Sequence, residues 1–225
     1  MIKIKKGREP EKLLRYRQQE GASYEQMDKD VKDELLETLL EEQGHLCAYC
    51  MKRIPESRKN LLSGIAPITI EHWYPRNPNN KEDIGQGLDY KNMLAVCSGN
   101  RGCGSKEKMT CDAHRGNDVI KINPCDENTL RDITYTSSGI IKSSDEVINE
   151  DINKRLNLNC ESSSLPENRK QVLQVLINDV RKRHGKGDIS LYCKRKLKQI
   201  EEMDDPKLPY VGIMIWWLKK HIDKR

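Results

Sequence analysis

The apolar positions of this chain fall into short runs whose period changes along its length. Between residues 28 and 43, Val31, Leu35, Leu36, Leu39 and Leu40 recur at helical spacing, with acids and lysines on the other faces. That pattern predicts an amphipathic helix, stopped by Gly44. Ile68 to Ile70 is a β-branched run after Pro67 and predicts a short strand. Met93 to Val96 is a second apolar run that returns against that strand or begins a helix. Residues 75–87 and 98–108 are rich in Pro, Asn, Gly and charge and predict loops. Residues 111–122 begin as a short helix and continue extended. Val119 to Ile122, Ile133 to Thr136 and Gly139 to Lys142 are weakly patterned strands.

From residue 151 the helical period returns. Val172, Leu173, Val175, Leu176, Ile177 and Val180 mark a strong helix ended by Gly185 and Gly187. A charged helix spans about Ser190 to Met203, and a last apolar helix, Val211 to Ile222, carries Trp216 and Trp217. That last helix is either the core helix of the C-terminal part or leaves a tryptophan for a partner. The charged stretch from Arg181 to Lys198 is a second docking candidate. At the other end, Met1 to Lys5 alternates apolar and basic residues and fits an edge strand, a solvated arm or a basic docking arm; Glu11 to Tyr16 is compatible with helix. There is no internal repeat.

Composition limits what these elements can bury. The chain has 225 residues, 36% hydrophobic and 33% charged, with no Phe and a mean hydropathy of −0.83. A core this modest gains from a metal staple or a partner. The net charge of +5 permits nucleic-acid binding without requiring it. No stretch approaches the ~20 apolar residues of a membrane span. The segment from Met1 to Gly7 has no signal-peptide core, so a cytoplasmic protein is expected. In a reducing compartment the eight cysteines are metal ligands or buried thiols rather than disulfides.

The chemistry concentrates between Cys47 and Gly116. Cys47-Ala48-Tyr49-Cys50 offers two thiolates from one tight turn, and tetrahedral zinc needs two more. Cys97 and Cys111 are the preferred partners, with residues 98–110 an insertion that carries Cys103 outward; Cys97 with Cys103 is the alternative. Cys125, Cys160 and Cys193 are scattered and read as ordinary buried thiols. A harder set, Glu71, His72, Asn92, Asp112 and His114, is threaded through the same stretch. Phosphodiester hydrolysis needs a base for the attacking water and a cation for the leaving oxygen. A neutral imidazole can be that base, and carboxylate and imidazole ligands can hold Mg²⁺ or Mn²⁺. Each residue alone has an ordinary surface reading; the case rests on their order. Lys52, Arg53, Arg58, Lys59, Arg101, Lys106, Lys108 and Arg115 flank the site as candidate phosphate contacts.

That order resembles the HNH endonucleases. Glu71-His72 matches the family's acidic-residue-plus-His pair, Asn92 in Asn92-Met93-Leu94 its middle Asn, and Cys111 to Gly116 its closing segment. The resemblance extends to Met1-Ile2-Lys3-Ile4 with Pro10 and Tyr16, to Cys47-Ala48-Tyr49-Cys50, to Ile70 through Pro75, and to Asn157-Leu158-Asn159 with Asn168-Arg169. With these the chain is similar to the PtuB-type HNH proteins of Septu and retron-associated anti-phage systems. The resemblance implies an α+β fold: a small ββα-metal nuclease core over residues 45–122, stapled by zinc. Residues 1–44 would form an N-terminal arm and helix, and residues 123–225 a mostly helical C-terminal region. It implies His72 as general base, Glu71 as metal ligand and Asn92 fixing the loop and the orientation of His72. Asp112 would be the last ligand to the Mg²⁺ or Mn²⁺, with His114 the alternative. It further implies DNA as substrate and a PtuA-like ABC/SMC-type ATPase as partner. In retron versions a reverse transcriptase and its reverse-transcribed DNA join. Two other classes compete with the nuclease: a non-catalytic zinc-stapled nucleic-acid-binding or adaptor module, and a structural subunit whose site is a remnant.

Overall fold

A computed structural model describes residues 1–55, 66–79, 87–183, 188–203 and 205–222. The fold is α+β, with seven α-helices and two small two-stranded sheets among the described residues. Arg58, Lys59, Gly185 and Gly187 lie outside those residues, as does part of the 75–87 loop.

Helix α1 (Glu11–Tyr16) starts at Pro10 and buries Leu13 and Tyr16. Helix α2 (Lys29–Glu42) buries Val31, Leu35, Leu36, Leu39 and Leu40, the stripe expected from the sequence. It ends where Gly44 and His45 adopt left-handed φ values of 58° and 57°, and the His45 amide donates to the Leu40 carbonyl at 2.8 Å.

Strand β1 (Ile68–His72) pairs antiparallel with β2 (Met93–Cys97), with Ile68 opposite Cys97 and His72 opposite Met93. Every residue of β2 is buried, so its free edge needs partners. The side chain of Gln43 supplies them. Its Nε2 donates to the Ala95 carbonyl at 2.7 Å and its Oε1 accepts from the Ala95 amide at 2.8 Å. One glutamine thus stands in for a third strand and fixes the end of α2 to the sheet. The Ala48 amide also donates to Ala95, at 3.1 Å, placing the Cys47–Cys50 turn on the same edge.

Helix α3 (Cys111–Arg115) follows β2 after two short helical turns, and the segment from residue 117 then sends Ile120 and Ile122 into the core. Val119 to Ile122 is not a strand: the Lys121 and Ile122 amides instead donate to the buried carboxylate of Asp151, at 2.7 and 3.0 Å. Strands β3 (Ile133–Tyr135) and β4 (Ile141–Ser143) form the second sheet. Helix α4 (Glu146–Glu150) runs into a π-helical turn, Asp151–Arg155. Helices α5 (Leu165–Arg183), α6 (Ile189–Glu201) and α7 (Val211–Ile222) complete the chain.

One buried cluster runs through all three segments of the chain, from Leu13 and Leu39 through Met93 and Ile152 to Ile213 and Leu218. Helix α7 is a core helix, burying Val211, Ile213, Met214 and Leu218; Trp216 and Trp217 pack at its margin, Trp217 stacked on His221 at 3.8 Å. The residues before α7 clasp the Cys47–Cys50 region. The Lys207 amide donates to Gly44 at 3.1 Å, the Tyr210 amide to Met51 at 2.9 Å, and Arg53 to both Gly44 and Lys207. Arg53 is therefore a structural tie rather than a phosphate contact.

The N-terminal segment is neither strand nor solvated arm. Ile4 is buried and its amide donates to Pro124 at 2.8 Å, while the Met1 amine is buried against the Tyr135 hydroxyl. Desolvation of that amine lowers its pKa to about 4. Cys193 is buried, as expected of a packing thiol, but Cys125 and Cys160 are only half-buried.

Candidate metal centre and adjacent acidic site

Four cysteines converge from three segments. The Sγ atoms of Cys47, Cys50, Cys97 and Cys111 all lie within 4.8 Å of one another, and all four residues are buried. The separations are 3.9 Å for Cys47–Cys111, 3.7 Å for Cys50–Cys97 and 3.9 Å for Cys97–Cys111. Sulfurs placed ~2.3 Å from a central zinc in a tetrahedron have edges of ~3.8 Å. The cluster therefore has the size and donor set of a closed structural zinc site and can hold one. Cys103 is not part of it, and its Sγ turns to the Ser105 carbonyl at 3.2 Å.

Local backbone geometry explains the convergence. The Cys47 amide donates to Lys52 and the Met51 amide to Cys47, both at 2.9 Å, which folds residues 47–52 into a tight turn. Met51 takes a φ of 60° to close it. The insertion between Cys97 and Cys111 is pinched at its neck by Gly99. Its φ is +57°, and a Cβ there would sit 2.2 Å from the Thr110 carbonyl oxygen, so only glycine fits. The Thr110 amide donates to the Gly99 carbonyl at 2.9 Å, bringing the two ends of the insertion together. Cys111 itself has a φ of 56°. A left-handed, non-glycine residue costs of order 1–3 kcal/mol, and the thiol is what glycine could not supply.

The thiols act on one another. Hydrogen bonding with Cys111, then with Cys47 and Cys50, holds the Cys97 thiol well below its usual pKa. Hydrogen bonding with Cys47, Cys50 and Cys97 holds Cys111 well above it. A bound dication is the physical means of keeping all four ionised. Arg169, buried on α5, lies within electrostatic reach of Cys50 and Cys111, a positive charge near a site whose loaded form carries net negative charge.

The acidic site begins one residue cluster away. Neighbours on a strand face opposite ways, so Glu71 and His72 at the end of β1 meet different surroundings. Glu71 is buried and its Oε1 is paired with Arg115; it also accepts from the Tyr49 hydroxyl at 3.3 Å. Asp112 lies within hydrogen-bonding reach of it. Burial pushes the Glu71 carboxyl well above its usual pKa, against the opposing pull of Arg115 and with the reinforcing push of Asp112. Asp112 is in turn paired with Arg101 at 2.5 Å.

His72 packs edge-on against Tyr24, ring centres 4.6 Å apart, and its Nε2 lies 3.0 Å from the Gly87 carbonyl. A carbonyl only accepts, so Nε2 is the protonated nitrogen and Nδ1 carries the lone pair. Desolvation lowers the His72 pKa. Asn92 braces the chain just beyond His72. Its Nδ2 donates to the Tyr74 carbonyl at 2.9 Å, its Oδ1 accepts from the Tyr74 amide at 2.7 Å, and its own carbonyl accepts from the Trp73 amide at 2.8 Å. It thereby fixes the chain leaving β1. His114 has its Nδ1 2.9 Å from the Arg155 carbonyl, and among the described residues it does not join Glu71 and Asp112 in a three-ligand group.

Arg115 corrects the expectation of a surface phosphate contact. Only 1% of it is exposed. It donates to Tyr49 Oη, Glu71, and the carbonyls of His72, Trp73 and Asp118. Gln43, Tyr49 and Arg115 are the site residues whose roles sequence reasoning missed. Only Tyr49 carried a signal, its place inside the Cys-x-x-Cys turn.

Compared with known proteins, the chain matches no family model and no curated protein. Among the described residues, no helix is long and apolar enough to cross a membrane.

Proposed function

We propose that this chain is a divalent-metal-dependent endonuclease subunit of the HNH type, stapled by zinc at Cys47, Cys50, Cys97 and Cys111. The observation that carries the reading is the state of His72. Its ring is oriented by Gly87, its lone pair is on Nδ1, and its lowered pKa keeps it neutral near pH 7, as a general base requires. The order β1, β2, α3 and the resemblance to HNH proteins support it further.

The acidic pair fits a hard cation. Asp112 is close enough to act on the Glu71 carboxyl, and Mg²⁺ is commonly held by one or two carboxylates plus phosphate oxygens. When bound, the Mg²⁺ or Mn²⁺ would neutralise charge on the scissile phosphate and the leaving oxygen. Glu71 Oε1 is taken by Arg115 and Tyr49, leaving Oε2 for the cation. Nδ1 of His72 takes the proton from the attacking water. Asn92 keeps the strand end from fraying and so holds His72 in register with Glu71. We assign DNA as the substrate. A PtuA-like ABC/SMC-type ATPase would be the restraining partner, joined in retron systems by a reverse transcriptase and its reverse-transcribed DNA.

The test is nicking of plasmid DNA with Mg²⁺ or Mn²⁺, with and without the ATPase. Wild type should cut and His72→Ala should not; equal cutting by both rejects the mechanism. One observation favours an adaptor without catalysis: both carboxylates already have arginine partners. That reading predicts no Mn²⁺ binding by the zinc-loaded chain.

A further inference from the structure

The contacts on Glu71 all originate beside the zinc-ligand candidates. Tyr49 lies between Cys47 and Cys50, in a turn that two thiols would clamp, and it is fully buried. Its hydroxyl accepts from Arg115 Nη1 at 3.1 Å and donates to Glu71 Oε1 at 3.3 Å, a directional chain from guanidinium to phenol to carboxylate. Arg115 lies one helical turn after Cys111 and shares its buried face. Asp112, the other neighbour of Glu71, is the residue next to Cys111.

Glu71 itself sits on β1, away from both ligand segments in sequence. The two segments that hold it are 64 residues apart, and the Cys47–Cys111 approach is where their thiols meet. Backbone ties also fix each of them separately: Ala48 to Ala95, and Cys111 to Leu156 at 2.8 Å. Those ties hold the segments in the fold. The thiol cluster aligns the two with each other.

We propose that the four-cysteine centre governs the acidic site through Tyr49 and Arg115. Zinc in the thiol cluster sets the position of the Glu71 carboxylate, and with it the affinity of the acidic site for its own divalent cation. Tyr49 is a positioning residue: it touches neither substrate nor cation. Release of zinc by chelation would then silence the site before the fold is lost. This inference rests on the nuclease reading above.

The experiment uses the zinc-loaded chain of 225 residues and Mn²⁺ as the probe. Tyr49→Phe removes one hydroxyl and nothing else. It should keep one zinc per chain and the wild-type helical signal, while the Mn²⁺ concentration for half-maximal binding rises about tenfold, equivalent to ~1.4 kcal/mol. Saturating Mn²⁺ should restore the cleavage rate, which separates positioning from direct catalysis. Unchanged Mn²⁺ affinity in Tyr49→Phe overturns the proposal. Should the variant fail to fold, stepwise removal of zinc from wild type decides the matter. Mn²⁺ binding should fall in step with zinc content while the helical signal persists, and Mn²⁺ affinity that survives zinc loss overturns the proposal. A wild-type chain that binds no Mn²⁺ removes the nuclease reading and the proposal together. Normal wild-type binding with an indifferent Tyr49→Phe removes the proposal alone.

Discussion

Replacing Arg115 by Met keeps much of its volume and removes its charge. The guanidinium is buried against a carboxylate that is itself 7% exposed, so Glu71 is left without its counter-charge. Breaking a buried pair from one side costs about 3–5 kcal/mol. The carbonyls of Trp73 and Asp118, each bonded to Arg115 at 2.7 Å, also lose their donor. Against a total stability of about 5–15 kcal/mol, the variant would stay folded with little margin. In urea, a slope of about 2–3 kcal/mol/M converts the loss to a midpoint lowered by roughly 1–2.5 M. Tryptophan fluorescence can follow it, since Trp73 lies beside the pair. Two features make the prediction specific. First, adding Glu71→Gln removes the stranded charge, so the double variant should be more stable than Arg115→Met alone by at least ~2 kcal/mol. Second, the loss depends on pH. Without Arg115 the folded-state pKa of Glu71 rises further above its unfolded value. A carboxyl raised in this way binds more protons folded than unfolded, so stability falls as pH climbs from about 4.3 towards the folded pKa. The deficit should be small at pH 5 and large at pH 8. A deficit equal at both pH values, together with a coupling below ~0.5 kcal/mol, would refute the buried pair.

Three further outcomes follow from the same geometry. Metal analysis should find one zinc per chain in Cys103→Ser and none in Cys111→Ser, because Cys103 lies outside the cluster; the reverse would restore the rejected ligand set. The lowered pKa of His72 means the unfolded chain binds the extra proton as pH falls below about 6.5, so that group costs stability on the acid side, up to ~1.4 kcal/mol per pH unit. Thermal melts of His72→Gln should accordingly lose about 3–5 °C per unit less than wild type between pH 6.5 and the folded pKa, and parallel curves would contradict the assignment. Gln43→Ala orphans the Ala95 amide on the buried edge of β2 and should cost about 2 kcal/mol, seen as a melting temperature lower by roughly 4–8 °C; a shift within 1 °C would show that water replaces the glutamine.

What could be read beforehand divides by the range of the physics involved. The stripe from Val31 to Leu40 fixed α2 because amphipathic period is a local property. The Cys-x-x-Cys turn was legible for the same reason. The choice of Cys111 over Cys103 needed long-range closure, and the residue that settles it is Gly99, whose meaning appears only when Thr110 is seen against it. Gln43 was illegible because a polar residue after a helix reads as solvated, and nothing local says that a buried strand edge waits for it. Arg115 reads as a phosphate contact because it is one of several basic residues in a polar stretch, whereas it neutralises an internal carboxylate. The N-terminal segment was misread because its alternating charge hides how Ile4 and the Met1 amine are buried.

Helix α3 shows how two chemistries share so little chain. Five residues are too few for a helix to persist on its own, since nucleation costs more than one turn of hydrogen bonds returns. Its conformation must be imposed from outside, by the Cys111 thiol among its three partners and by the Arg115 guanidinium among five acceptors. Those anchors sit four residues apart, so they fix both the axis and the rotation of the turn. Asp112, between them in sequence and off their buried face, is then aimed by these two anchors together with its own pair to Arg101. Soft and hard donors are thereby kept apart: the thiolates turn inward to the closed cluster, and the Asp112 carboxylate lies outside it, paired with Arg101 and acting on Glu71.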